Sequence, residues 1–221
     1  MTADQLITRD LPPLSISDTG TYALGQMEDL RLGHLPVVDD GRFLGIVSEK
    51  DILSMEDPGQ EIGTGAMVQK RCFVTEGQHL LEALKTFVSF SLTLLPVVSA
   101  DHLYLGCVTL PSLLQALSDL TGAPQPGGII VIDVPEREFD LTEIVQVVEA
   151  NDARIITCMT GLNPEPGRVR ITLKVNRLDI GPLLQAFFRL DYSVVASWSE
   201  EDSYNDDLRD RYDALMNFLN I

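Results

Sequence analysis

Short apolar runs and amphipathic stretches alternate through residues 1–120, and they do so twice. Leu35-Pro36-Val37-Val38 and Phe43 to Val47 are rich in β-branched residues and flank Asp39-Asp40-Gly41, so they predict two short buried strands joined by a turn. Ser48 then opens a helix from Glu49 to about Met55. Ahead of the strands, Ser17 or Asp18 caps a helix running to about Leu30. About sixty positions later the pattern returns: LPVVDDGRFLGIVSEKDIL at 35–53 is echoed by LPVVSADHLYLGCVTLPSLL at 95–114. Ile7-Thr8 faces Met67-Val68, Leu14-Ser15 faces Val74-Thr75, and Ala23 faces Ala83. One inserted residue then moves Gly45 to Gly106 and Ser48 to Thr109. In the second copy Thr75 and Gln78 fit a capping box, and Leu80, Leu81, Leu84, Phe87 and Val88 form a helical stripe. A repeat of this length is a unit that cannot bury its apolar face alone, and the seam between two copies is a natural cleft.

Beyond residue 120 the pattern changes. Residues 121–128, with two prolines and three glycines, read as a linker. Ile129 to Val134 predicts a strand, and Leu141, Ile144, Val145 and Val148 form one helix face. Arg154 to Met159 predicts another strand, followed by a turn at 163–167. Val169, Ile171, Leu173 and Val175 alternate with polar residues, a strand with one dry face. A helix carrying Ile180, Leu183, Leu184 and Phe187 precedes a last strand in which Tyr192, Val194, Ala196 and Trp198 alternate, an arrangement that puts Trp198 in the core. The order βαββαβ describes a ferredoxin-like half-sandwich. The tail places Leu208, Tyr212, Leu215 and Leu219 on one helix face, behind Asp202, Asp206 and Asp207. The expected organisation is an α/β (α+β) chain with units at 1–58 and 59–120, a linker at 121–128, a third unit at 129–199 and an amphipathic helix at 200–221.

Charge narrows the partners. A formal net charge of −17 and no clustered Lys or Arg argue against nucleic acid. No apolar run approaches the roughly 18–20 residues of a membrane helix, and the first ten residues carry neither a basic nor an apolar signal region. Cys72, Cys107 and Cys158 are odd in number, far apart and set in apolar stretches, as expected of buried thiols in a reducing cytoplasm. Neither metal-ligand spacing among His34, His79, His102 and the cysteines nor any nucleophile elbow, P-loop or dinucleotide fingerprint is present. The chain reads as non-enzymatic, with no cofactor.

The repeated block resembles the CBS domain, whose tandem pairs are called Bateman modules. The likeness covers about residues 5–118 and rests on the segments ahead of Ala23 and Ala83, the LPVV strands and Gly45-Ile46-Val47-Ser48-Glu49-Lys50-Asp51. The unit at 129–198 is similar to an ACT-type regulatory domain, and the whole layout resembles bacterial acetoin-utilisation regulatory proteins. It departs from amino-acid-binding ACT domains in that Pro135 is followed by Glu136 rather than glycine. By this resemblance the ligand is an adenosine nucleotide or adenosyl compound such as AMP, ATP or S-adenosylmethionine, and the chain forms a homodimer. A protein partner is the other possibility.

The residues make their own case for that chemistry. Ser48 and Asp51 share the first turn of a helix, where the carboxylate can accept from both hydroxyls of a ribose and the helix-start amides, with Lys50 beside them, suit an anion. Helix capping is the alternative role for both. In the second copy Thr109 keeps the hydroxyl but Ser112 replaces the aspartate, so one competent and one degenerate site are expected. The resemblance draws the adenine walls from Thr8, His34, Pro36, Val37, Met67 and Val68. Lys70 and Arg71 are either phosphate contacts or solvated surface charges.

Overall fold

The structure is a computed structural model that describes residues 1–65, 72–162 and 165–199. The expected tail helix, and Met67, Val68, Lys70 and Arg71, lie outside the described residues. The chain divides into two units, Met1–Leu117 and Ser118–Ile221.

In the first unit, helix α1 (Gly20–Leu30) leads into the antiparallel pair β1 (His34–Asp39) and β2 (Arg42–Ser48) and then α2 (Glu49–Leu53). A one-turn helix α3 (Ile62–Gly65) separates this copy from β3 (Val74–Thr75), α4 (Leu80–Phe90), β4 (Leu94–Val98), β5 (Tyr104–Thr109) and α5 (Leu110–Leu120). Asp40 and Gly41 both have positive φ, the requirement of the tight hairpin turn that a twisted strand pair prefers. The second hairpin absorbs its extra residue in a longer turn, where His102 takes the left-handed conformation.

The two copies exchange their leading segments. Thr8 bridges β5, its amide donating to Cys107 O (2.8 Å) and its carbonyl accepting from Cys107 N (3.2 Å). Ala3 N donates to Gln78 O and Leu80 N to Met1 O. In mirror image, Ile62 N donates to Asp18 O and Thr21 N to Pro58 O. Gly106 is glycine for this reason: at φ +142° a Cβ there would meet Ile7 and stand 2.9 Å from Thr8 O. Burial follows the same logic, because Ala23, Leu35, Val37 and Ile46 from one copy and Ala83, Leu95, Val97 and Cys107 from the other belong to one apolar cluster.

Two predicted caps move. Thr19, not Ser17 or Asp18, caps α1 by accepting from Tyr22 N, and Asp18 closes a local turn with Ser15 N. The exchanged strap explains the shift, since the carbonyls of Gln60 and Pro58 already receive the Gly20 and Thr21 amides. Likewise Thr75 and Gln78 form a tight turn, and α4 begins later with His79 as its cap, because Met1 O takes the Leu80 amide.

The second unit runs β6 (Gly128–Pro135), α6 (Leu141–Ala150), β7 (Ile155–Leu162), β8 (Arg168–Val175), α7 (Gly181–Arg189) and β9 (Ser193–Trp198). Its four strands pair antiparallel in the order β7-β8-β6-β9. Ile130, Ile132, Val134, Ile171, Leu173 and Val175 meet Ile144, Val148, Leu183 and Phe187 of the helices in one core. Trp198 is not in that core; it is 58% exposed. A bulge in β9 leaves Val195 unpaired between the Val131–Ala196 and Ile132–Val194 pairs. One extra residue reverses the face of everything beyond it, so Tyr192 points inward and Trp198 outward.

Candidate functional site

Strand β2 ends where α2 begins, and Ser48 serves both. Its extended backbone (φ −99°, ψ 159°) stops the helix, and its Oγ accepts from Asp51 N at 3.1 Å. Asp51 answers: its Oδ2 accepts from Ser48 N at 2.9 Å and from the Ser48 hydroxyl at 2.6 Å. A short hydroxyl-to-carboxylate bond of this kind is charge-assisted. The predicted pair is therefore brought together, half-buried, and it caps the helix. Oδ1 of Asp51 takes no hydrogen bond among the described residues. One face of the carboxylate is committed to the fold and the other is open to a further donor.

The expected anion seat of free amides is corrected. Glu49 N donates to Gly33 O at 3.0 Å and Asp51 N is held by Ser48, so only the Lys50 amide of the first turn lacks such a partner among the described residues. Five residues of helix give the dipole little length. Lys50 itself is exposed.

His34 stands opposite Ser48 in the β1–β2 ladder. Its Nδ1 accepts from Thr93 N (3.3 Å) and lies 3.1 Å from Thr93 Oγ1, which in turn accepts from Gly33 N (3.1 Å). The histidine thus ties the first copy to the second. Burial lowers its pKa below the ordinary 6.5, with the Asp51 charge opposing that shift. A neutral ring with Nδ1 as acceptor carries its proton on Nε2.

The remaining expected residues are spread around this pair. Thr8 is half-buried, with Oγ1 3.4 Å from Asp10 Oδ2. Pro36 and Val37 are buried in β1, and Val37 has no exposed surface at all, so it belongs to the core rather than to a wall facing a ligand. Thr109 repeats the cap at the start of α5: Ser112 N donates to Thr109 Oγ1 (3.3 Å) and Thr109 N to Ser112 Oγ (3.1 Å). Close by, burial pushes the Cys107 thiol up to about 12, and its Sγ lies 3.1 Å from the Tyr104 hydroxyl. A cavity of about 540 Å³ between α1 and α2, lined in part by Leu24, Met27, Gly33 and Leu53, includes none of the expected residues. The apolar spacing of α1 was its one sequence signal, and it reads equally as core. Among the described residues no group of three or more His, Cys, Asp or Glu is placed to hold a metal, and no helix is long and apolar enough to cross a membrane.

The CBS domain family matches residues 3–56. YlbB of Bacillus subtilis, an uncharacterized protein, is 33% identical over 137 residues, which cover 59% of this chain and 89% of YlbB. The chain belongs to the CBS-domain family. Because the order helix, strand, strand, helix of α1-β1-β2-α2 recurs in α4-β4-β5-α5, it is a CBS domain pair protein. Inosine-5'-monophosphate dehydrogenase of Methanocaldococcus jannaschii is 25% identical over 158 residues, 71% of this chain, and the match spans about a third (32%) of the dehydrogenase's length. Among solved structures, a CBS domain pair/ACT domain protein from Thermotoga maritima is 28% identical, covering 54% of this chain and 98% of that one with a TM-score of 0.49.

Proposed function

We propose that the CBS pair is a non-catalytic sensor that binds an adenosine nucleotide or adenosyl compound over Ser48 and Asp51. The observation that carries this reading is the open Oδ1 of Asp51, a half-buried carboxylate oxygen beside a hydroxyl at the seam where His34 joins Thr93. A ribose hydroxyl offers the donor that this remaining oxygen accepts. Thr8, Pro36, Met67 and Val68 would border the base through backbone and apolar edges, with Lys50, Lys70 and Arg71 toward any phosphate. Thr109 marks the weaker second site. In this reading CBS copies occupy 1–58 and 59–120, an ACT-type domain follows the 121–128 linker, and the protein works as a cytoplasmic homodimer. Ligand acts by favouring one arrangement of the two copies over another.

Titration calorimetry with AMP, ADP, ATP and S-adenosylmethionine tests it. Saturable binding near one ligand per chain is expected, weakened about 10- to 150-fold in Asp51→Asn, the equivalent of about 1.5–3 kcal/mol for a charged hydrogen bond. Equal affinity in the variant overturns the site. A second reading, a scaffold that acts through a protein partner with its cleft unused, is favoured by the capping role of Asp51 Oδ2. Flat traces for all four compounds establish that one instead.

A further inference from the structure

The two copies of the first unit meet at equivalent residues, Gly33 and Thr93, sixty positions apart in the repeat. Neither lies in its strand ladder, and among the described residues no backbone carbonyl receives the amide of either. Side chains fill the need instead. Gly33 N donates to Thr93 Oγ1 at 3.1 Å, and Thr93 N donates to His34 Nδ1 at 3.3 Å. An amide shielded from water and left without an acceptor is costly, so both bonds matter to the joint. The joint also reaches the start of α2. Gly33 O accepts from Glu49 N at 3.0 Å, in the helical turn that carries Asp51, and His34 stands opposite Ser48 in the ladder. The second copy has Leu94 where the first has His34, so only one of the two bonds can respond to a proton.

Imidazole accepts at Nδ1 only while that nitrogen is unprotonated. A proton there makes the ring a donor on both sides and sets its N–H against the Thr93 amide. The Thr93 hydroxyl, 3.1 Å away, can turn to accept from the new N–H while still receiving the Gly33 amide. One bond of the joint then survives and the other breaks. We propose that His34 is a proton-operated latch between the two CBS copies. Neutral, it holds the Thr93 amide and closes the seam; protonated, it lets go and weakens ligand binding at Ser48 and Asp51. The link to the ligand rests on the adenosyl site proposed above, whereas the latch itself does not. The surroundings suit such a switch. Glu28, Asp29 and Arg31 come from α1 and its cap, and Glu49, Lys50 and Asp51 from α2, yet among the described residues only Asp51 acts on the ring by its charge. Strands β1 and β2 carry charge only at their far ends, Asp39 and Arg42, and residues 86–98 of the second copy carry no charged or titratable group. Burial outweighs Asp51 and favours the neutral ring, so the latch is shut at neutral pH and opens as pH falls below the ordinary histidine value.

The test is NMR of the whole chain labelled with nitrogen-15, titrated from about pH 8 to about pH 5. Titration calorimetry with adenosine runs beside it, because adenosine is uncharged over that range and brings no phosphate to attract an imidazolium. The Thr93 amide resonance is expected to move with the His34 ring, at a midpoint below 6.5, while the Gly33 amide moves little. His34→Asn supplies a side-chain oxygen where Nδ1 stood and cannot titrate, so its Thr93 amide should stay fixed over the range. Adenosine should bind wild type about three- to tenfold more weakly at the acid end, and the ratio of the two affinities should fall to about one in the variant. A Thr93 amide indifferent to His34, or one that moves as much in His34→Asn, overturns the latch. Equal adenosine affinity at both ends, with the amide moving, overturns its hold on the seam. Adenosine that binds at no pH, with Thr93 still following His34, leaves the latch standing and overturns the adenosyl site instead.

Discussion

The starts of α2 and α5 occupy the same place in two copies of one fold, and they are closed by the same ring of bonds. Ser48 and Asp51 make it with a hydroxyl and a carboxylate, Thr109 and Ser112 with two hydroxyls. The second copy therefore shows that the cap needs no charge. A carboxylate at Asp51 exceeds what the helix start requires, and its Oδ1 is left over once the cap is complete. That surplus is what the proposed ligand site would use, and the second copy lacks it.

The strongest way to break the comparison is to ask whether the copies are separate at all. Leu35 and Leu95 occupy equivalent positions, have no exposed surface, and belong to one cluster. Leu35→Ala and Leu95→Ala should each cost about 2–5 kcal/mol and should each lower a single calorimetric transition of the first unit. Two transitions, with only one moved by each variant, would show that the exchanged straps do not couple the copies. Next in size is the charge itself: Ser112→Ala should change nucleotide affinity by less than about twofold, or 0.4 kcal/mol, against the much larger loss in Asp51→Asn. Similar losses in both would make the second site competent and remove the asymmetry. The caps should then behave alike. Ser48→Ala and Thr109→Ala are each expected to cost about 1 kcal/mol in urea denaturation, and a cost confined to one would mean that the other ring contributes little.

Pattern alone reached the repeats, because Leu35/Leu95 and Val37/Val97 pack at equivalent places and packing writes itself into hydrophobic spacing. The glycine-bearing turn Asp39-Asp40-Gly41 and the Ser48–Asp51 pairing were legible for the same local reason. Contacts made by distant chain were not. The cap of α1 moved to Thr19 because carbonyls of residues 58 and 60 supply the acceptors, and nothing near Ser17 signals that. Trp198 was misplaced because a bulge at Val195 depends on pairing with β6, and alternation along β9 looks unbroken from within the strand. The helix-start amides looked free because the Gly33 carbonyl that fills one of them arrives from across the hairpin.

The smallest expected effect sharpens the comparison furthest. His34 in the first copy corresponds to Leu94 in the second, each facing its cap residue in the ladder, Ser48 or Thr109. Only the first copy therefore carries a titrating group there. Burial lowers the His34 pKa below 6.5, so between the folded and unfolded values the unfolded chain binds more protons and stability rises with pH. The contribution is fully present above the ordinary value and is lost as pH falls through the depressed one. Protonation would place a hydrogen on Nδ1, where it meets the Thr93 amide that Nδ1 now accepts. In His34→Leu, which rebuilds the first copy in the image of the second, the slope of unfolding free energy against pH below 6.5 should flatten, while the carboxylates keep their own acid dependence at lower pH. An unchanged slope would mean that His34 titrates alike in the folded and the unfolded chain, and that the two copies do not differ in pH response at this position.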